Sequence, residues 1–407
     1  MNSQLSTKDR SFIAITFFYI IYTIFPLFAD ITGIPIYITA MALVFVLLMM
    51  YPKAFMEKPT KWFIAYIGVL VLYTIFGKPI FINGVNNQSL TTIYRITIEV
   101  AWILPNITIM NVLLYKNDGR LFKIIGYGSI ILLVASFLYL LPLVSTINNV
   151  LRSNIHEAES VRPVGLPGYD LMHAYTFMIL PLCLLIKNNT GKMKILYLIA
   201  LLLFAYFVIK TAITTGIVIL LVTILFACFF NVQKIHSSIF IFISIFLIGY
   251  LLYQSDFFLN LIDVLMPYFE DTAVSNKLED LRTSMIQGEV TGGSFIGRMD
   301  YHQISKEAFW NNPFLGSNKA GGHSKILDIL GAMGIFVFIP YFMILCTSLK
   351  KYIFRIKDIE LKSYLCFSFI LASIYLYTKG IFGSPGYLFM LVIVPSIIFS
   401  VNSLKNK

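Results

Sequence analysis

Residues 193–230, MKILYLIALLLFAYFVIKTAITTGIVILLVTILFACFF, are the stretch on which the fold turns. An apolar helix of about 20 residues already crosses a bilayer, so this run is far too long for one crossing. Lys210 and the polar TAITTG that follows divide it into two spans, 193–210 and 212–230, with almost no loop between them. Read as a single span, it would invert every segment downstream.

The composition around it sets the class. Of 407 residues, 58% are hydrophobic and 13% charged, with a mean hydropathy of +0.81. A soluble domain of that make-up would expose too much apolar surface, so the chain reads as a polytopic membrane protein. Backbone groups in lipid need partners within the spanning structure, which leaves helices or a closed barrel. The apolar runs are continuous rather than alternating, which selects helices. Runs near the spanning length predict about twelve spans, at 11–29, 32–50, 62–82, 94–115, 122–145, 169–187, 193–210, 212–230, 237–255, 325–348, 363–381 and 385–402. The expected fold is all-α, in three blocks. Residues 1–255 hold the first nine transmembrane helices, 256–322 a large extracytoplasmic loop with short helices, and 323–407 the last three spans.

The charges orient this plan. Lys53, Lys58 and Lys61 fall in one connector, and Lys116, Arg120 and Lys123 in a second. Lys187, Lys192 and Lys194 occupy a third, and Lys350, Lys351, Arg355, Lys357 and Lys362 a fourth. With about twelve spans, all four share a side with both termini, which carry Lys8, Arg10, Lys405 and Lys407. Short basic loops stay in the cytoplasm, so both termini are expected inside. The net charge of +11 is then mostly a topology signal and implies no nucleic acid. The first apolar run lacks a cleavage site and reads as a span rather than a signal peptide. Two polar segments, 145–168 and 256–322, are left outside, and the second is much longer than a helix connection needs.

Several chemistries lack their residues. No phosphate-cradling Walker loop is present, so ATP is not expected as an energy source. Cys183, Cys228, Cys346 and Cys366 all lie in expected spans, and the five histidines lack a ligand spacing. No Asp-x-Asp pair in the outer loops offers to hold a divalent ion on a diphosphate. Neither metal nor cofactor is expected. Arginine and lysine would have to carry the charge of any diphosphate.

Four polar features remain. Arg95 and Glu99, one turn apart within a span, read as a self-neutralising ion pair. Arg162 stands in RPVGLPGYDLMHAY (162–175), where an outer loop re-enters the membrane. It either anchors the loop to headgroups or faces an anionic substrate. Arg298, His302 and Lys306 recur at i, i+4 and i+8 in a helical run that ends at Asn311, Asn312 and Pro313. They form either the wet face of a helix lying on the membrane or a cationic wall for a phosphate-bearing ligand. His323 follows two glycines and precedes Ser324, with Asp328, Gly331 and Gly334 beyond. Ser324 and Asp328 are expected to share a helix face. His323 is either a satisfied polar cap or a base positioned by its acidic neighbour, and the glycines and Asp328 favour the base.

The order R…NPFLG…GGHSKILDILGAMG (298–334) resembles the signature of the O-antigen polymerase (Wzy-type) family, related to the O-antigen ligases. RPVGLPGYDLMHAY is similar to the family's other outer loop, in which an arginine precedes a Gly/Pro-rich return to the membrane. The likeness covers the overall plan and about 60 residues of local motif. Relatives often carry a serine-arginine pair in the mid-chain turn where this chain has TAITTG, with Lys210 one turn earlier as a substitute charge.

The resemblance implies a bacterial cytoplasmic-membrane enzyme that joins oligosaccharide repeats carried on undecaprenyl diphosphate. It implies His323 as base, with Ser324 or Asp328 orienting it. Arg162 and Arg298 would bind diphosphate, Lys210 and His302 would assist, and a chain-length regulator would be a partner. A ligase that passes finished glycan to lipid A core or to protein would use much the same residues. A lipid-linked-glycan flippase or transporter also suits the number of spans, although matching halves are lacking.

Overall fold

The computed structural model describes residues 5–76, 92–146, 169–210, 214–231, 257–269, 295–317, 320–322, 324–378 and 383–405, together with positions 233, 244, 275, 278–279 and 282–283. Every regular element among them is helical. In chain order these are α1 (Thr7–Ile24), α2 (Pro26–Thr32), α3 (Ile36–Met50), α4 (Pro52–Phe55), α5 (Lys58–Ile75), α6 (Thr92–Lys116), α7 (Gly119–Thr146), α8 (Tyr169–Asn188), α9 (Gly191–Lys210) and α10 (Thr214–Phe229). Then follow α11 (Phe257–Leu265), α12 (Phe295–Asn311), α13 (Lys325–Met333), α14 (Ile335–Ile353), α15 (Ile359–Thr378), α16 (Ser384–Leu388) and α17 (Val394–Lys405). A 3₁₀ turn, Met266–Phe269, extends α11, and a π turn, Phe389–Ile393, joins α16 to α17.

Among the described residues, six helical stretches are long and apolar enough to cross a bilayer: Ile96–Lys116, Gly119–Pro142, Gly191–Ile209, Ile335–Ile353, Ile359–Thr378 and Ser384–Asn402. Ser384–Asn402 is the most enclosed, and its neighbours shield nearly all of it. Outward faces are apolar too: Ile131, Leu138, Ile195, Leu202 and Ile209 are all exposed. Water would not tolerate that surface, whereas lipid does, so the chain is an all-α membrane protein.

Two expected spans are broken. The run 11–29 ends its first helix at Ile24, because Pro26 has no N–H to continue the ladder and a new helix starts there. The run 325–348 breaks at Gly334, whose φ of +73° is closed to most side chains and turns the chain between α13 and α14. The expected span 237–255 lies outside the described residues apart from position 244.

Contacts between helices gather the basic connectors at one end of the bundle. Lys116 pairs with Asp9 at 2.8 Å, and Tyr51 donates to the Lys8 carbonyl at 3.1 Å. Lys351 pairs with Glu57, and Lys187 with Glu360 at 2.6 Å. Near the C-terminus, Phe399 stacks on Phe122 at 4.5 Å and packs against Tyr352 at 5.5 Å. Exposed ion pairs of this kind contribute about 0–1 kcal/mol each, so they mark the arrangement more than they hold it.

The same geometry resolves 193–230. Phe226 stacks on Phe367 at 3.8 Å and meets Tyr364 edge-on at 5.4 Å, both in the first turns of α15. α9 therefore leaves the basic end and α10 returns to it: two helices, not one.

The π turn inside the buried last helix alters the local hydrogen-bond register, and Tyr352 donates to the Leu391 carbonyl within it at 2.5 Å. Tyr352→Phe is expected to cost about 1–2 kcal/mol, because a buried carbonyl loses its side-chain donor. A lowered apparent melting temperature of the detergent-solubilised protein checks it.

Candidate functional site

At the end of the bundle opposite the basic connectors, α12, the turn that follows it and α13 pack into one body. Ser324 caps α13, its hydroxyl accepting from the Leu327 N–H at 3.1 Å. A serine in this position satisfies a donor that the helix itself leaves without a partner. Asp328, in the first turn, reaches back over the cap. Its Oδ1 accepts from the Ser305 hydroxyl at 2.7 Å and from the Gly322 N–H at 3.1 Å, and its Oδ2 from the Ser324 N–H at 3.2 Å. Ser305 in turn accepts from the Gly321 N–H at 2.9 Å. One carboxylate and one hydroxyl thus fasten residues 321, 322 and 324 to two helices, and both side chains are buried. An acidic group at a helix N-terminus is also favoured by the helix dipole.

Small residues make the closure possible. Gly316 lies against the Ala332 carbonyl, Gly321 against the Tyr301 carbonyl and Gly331 against the Ser305 carbonyl, each with no room for a Cβ. Ser317 N–H donates to the Gly331 carbonyl at 2.9 Å, and Ile335 N–H to the Pro313 carbonyl at 2.9 Å. The segment 313–317 is therefore laced by its backbone onto α13 and the first residue of α14. Tyr73 of α5 donates to the Met333 carbonyl at 2.6 Å and ties this body to the bundle.

Beneath it lies a buried ion pair. Lys325, the first residue of α13, donates to Glu99 Oε1, while Tyr66 donates to Oε2 at 3.2 Å. Their side chains are 3% and 0% exposed, so neither charge has water to lean on. The polar thread continues through the core. The Tyr66 ring lies 5.6 Å from that of Tyr341, and the hydroxyls of Tyr341 and Tyr387 are 2.8 Å apart. Nearby, Tyr19 bonds Ser384 at 2.6 Å and accepts from Asn106 at 3.3 Å. Ionisable groups so placed are costly in a membrane interior, and they mark functional sites more often than surface charges do.

The expected site residues fare differently. Ser324 is a cap, not a member of a helix face shared with Asp328, because the chain turns extended at that residue before α13 begins. Asp328 spends its carboxylate on the turn. Glu99 pairs with Lys325; the Arg95 side chain, and with it the expected Arg95–Glu99 pair, lies outside the described residues. His302 is half-buried with its ring 5.6 Å from Tyr377 of α15, whereas Lys306 on the same helix is exposed. Arg298 falls on α12 and Lys210 ends α9, but their side chains lie outside the described residues, as do Arg162 and His323.

Ser305 and Lys325 were missed. A serine in a polar helix and a lysine at the start of an apolar run carry no local sign of their partners.

The amides of Gly321, Gly322 and Ser324 are already engaged by Ser305 and Asp328, so they do not form a backbone cradle for an anion. Among the described residues no three His, Cys, Asp or Glu side chains stand together as a metal site would require. No protein-family model matches the chain, and a search of curated proteins returns no match.

Proposed function

We propose that the chain is a metal-independent glycosyltransferase that polymerises undecaprenyl-diphosphate-linked oligosaccharide repeats, into O-antigen or capsule-type polysaccharide, at the outer face of a bacterial cytoplasmic membrane. In this reading about twelve spans place both termini and the basic end in the cytoplasm. The body formed by α12 and α13 then faces outward, where 145–168 also emerges. The observation that carries the proposal is the Asp328 carboxylate. It joins the helix of His302 and Lys306, through Ser305, to Gly322 and Ser324, so one side chain links the two halves of the family-like signature.

His323 takes the proton from the acceptor hydroxyl as that oxygen bonds to the anomeric carbon of the donor sugar. The carbon–oxygen bond to the lipid diphosphate breaks, and its electron pair leaves on the diphosphate. Arg162 and Arg298 meet that charge, with Lys210 and His302 assisting. The diphosphate is a good leaving group, so the step consumes neither nucleotide nor metal. A chain-length regulator is the protein partner this reaction calls for.

The test is glycan length in cells whose own gene is deleted and which carry His323→Ala, Arg162→Ala or Arg298→Ala, with membrane insertion verified. Loss of a general base typically costs about 10²–10⁴-fold, so surface glycan should collapse to single repeats. Full-length chains from His323→Ala would remove the base and favour transport. The buried Glu99–Lys325 pair is a feature a transporter would also use. Uncapped core in the deletion strain would point to a ligase.

A further inference from the structure

We infer that Glu99 and Lys325 form a latch that positions the Gly-Gly-His-Ser turn for the transfer step, an inference that rests on the function proposed above. The two residues stand 226 positions apart in sequence, on α6 and at the first residue of α13. Lys325 follows the Ser324 cap directly, and Asp328 is one turn on. Whatever holds the Lys325 ammonium therefore sets the height and rotation of the helix start from which Ser324 and Asp328 fasten the turn.

The latch is specific in three ways. Its members are excluded from water, so the pair acts as an anchor and not as a screened surface contact. The second carboxylate oxygen is taken by Tyr66, which sets the orientation of Glu99. Tyr66 belongs to α5, the same helix that holds the far end of α13 through Tyr73 and the Met333 carbonyl. α13 is thus pinned at its first residue and at its last, by α6 and α5 respectively. Bulk packing could hold the helix just as tightly without buried charge. A matched pair in a medium that punishes mismatch fixes one register of the helix and excludes its neighbours.

Either single neutralisation leaves one buried charge without its partner and is expected to reduce the amount of inserted protein. The informative variant is therefore the double, Glu99→Gln with Lys325→Met, which removes both charges and keeps similar volumes. It should insert and melt like the parent, because buried pairs are often replaceable at little cost in stability.

Two measurements on purified protein in liposomes read the latch. With lipid-linked oligosaccharide as substrate, kcat should fall tenfold or more while KM stays within about threefold, because the substrate's own contacts are untouched and only alignment is lost. Hydrogen exchange of a peptide spanning 318–330 should quicken in the double variant, since the Gly321, Gly322 and Ser324 amides are the ones the turn protects. Lys325→Arg alone keeps the charge but replaces the compact ammonium with a planar guanidinium, and a kcat between those of the parent and the double variant is expected.

A double variant with parental kcat and parental exchange overturns the latch. If the parent protein does not elongate the substrate at all, the proposed function fails; exchange alone then decides the latch, and parental exchange in the double variant would refute it.

Discussion

Asp328→Ala is expected to abolish chain elongation and to destabilise the protein by more than about 3 kcal/mol. The carboxylate is the common acceptor for the Ser305 hydroxyl and the Gly322 and Ser324 amides. Its removal leaves the buried Ser305 hydroxyl and Ser324 amide, and the part-buried Gly322 amide, without their partner, and each buried orphan costs about 1–3 kcal/mol. The Gly321 amide would keep Ser305 as its acceptor, but Ser305 itself would be free to rotate. The turn would then lose its tie to α13 through Asp328 and keep only the Gly321–Ser305 contact to α12.

Asp328→Asn makes the sharper comparison. An amide can accept at the oxygen that faces Ser305 and Gly322, but its NH2 then confronts the Ser324 N–H, donor against donor. An intermediate loss is expected, with stability closer to the parent than activity is. Melting in detergent and glycan length in cells measure the two. Full elongation by the alanine variant would show that the turn needs no carboxylate.

The second large effect is steric. Gly316→Ala and Gly321→Ala are each expected to cost above about 4 kcal/mol, among the largest values single substitutions give. At Gly316 the new Cβ would overlap the Ala332 carbonyl, and φ is +69° besides. At Gly321 it would overlap the Tyr301 carbonyl. Both obstacles are helix backbone, which cannot swing aside as a flexible side chain would. Gly68 in α5 is the control, since a Cβ there meets nothing within 4 Å. Gly68→Ala should be neutral, or stabilising by up to about 1 kcal/mol through helix propensity. Inserted protein and melting temperature across the three variants check the order. If Gly321→Ala behaved like Gly68→Ala, the close approach of α12 to the turn would be wrong.

The helices themselves were legible because hydropathy is local. A run such as Gly191–Ile209 announces a membrane helix from its own residues, whatever surrounds it. The break at TAITTG was legible for the same reason, and so was the punctuation by Asn312-Pro313 at the end of α12. Where local signals failed, the cause was again local chemistry, misjudged. Pro26 splits the first run and Gly334 splits the run 325–348, because apolar content does not reveal whether the backbone can stay helical.

The site divides along the same line. Sequence alone determined that this is an all-α membrane protein and that its polar, glycine-bearing segment near 298–334 is where chemistry-bearing residues concentrate. It also marked Asp328 and Ser324 as residues of interest. Their roles waited for the tertiary structure. Ser324 caps, Asp328 ties the turn to Ser305, and Glu99 pairs with Lys325, 226 positions away in sequence. Each of these pairings depends on which helix faces meet. That choice is made by packing of the whole bundle, in a medium where a buried charge must find its partner wherever along the chain the partner lies.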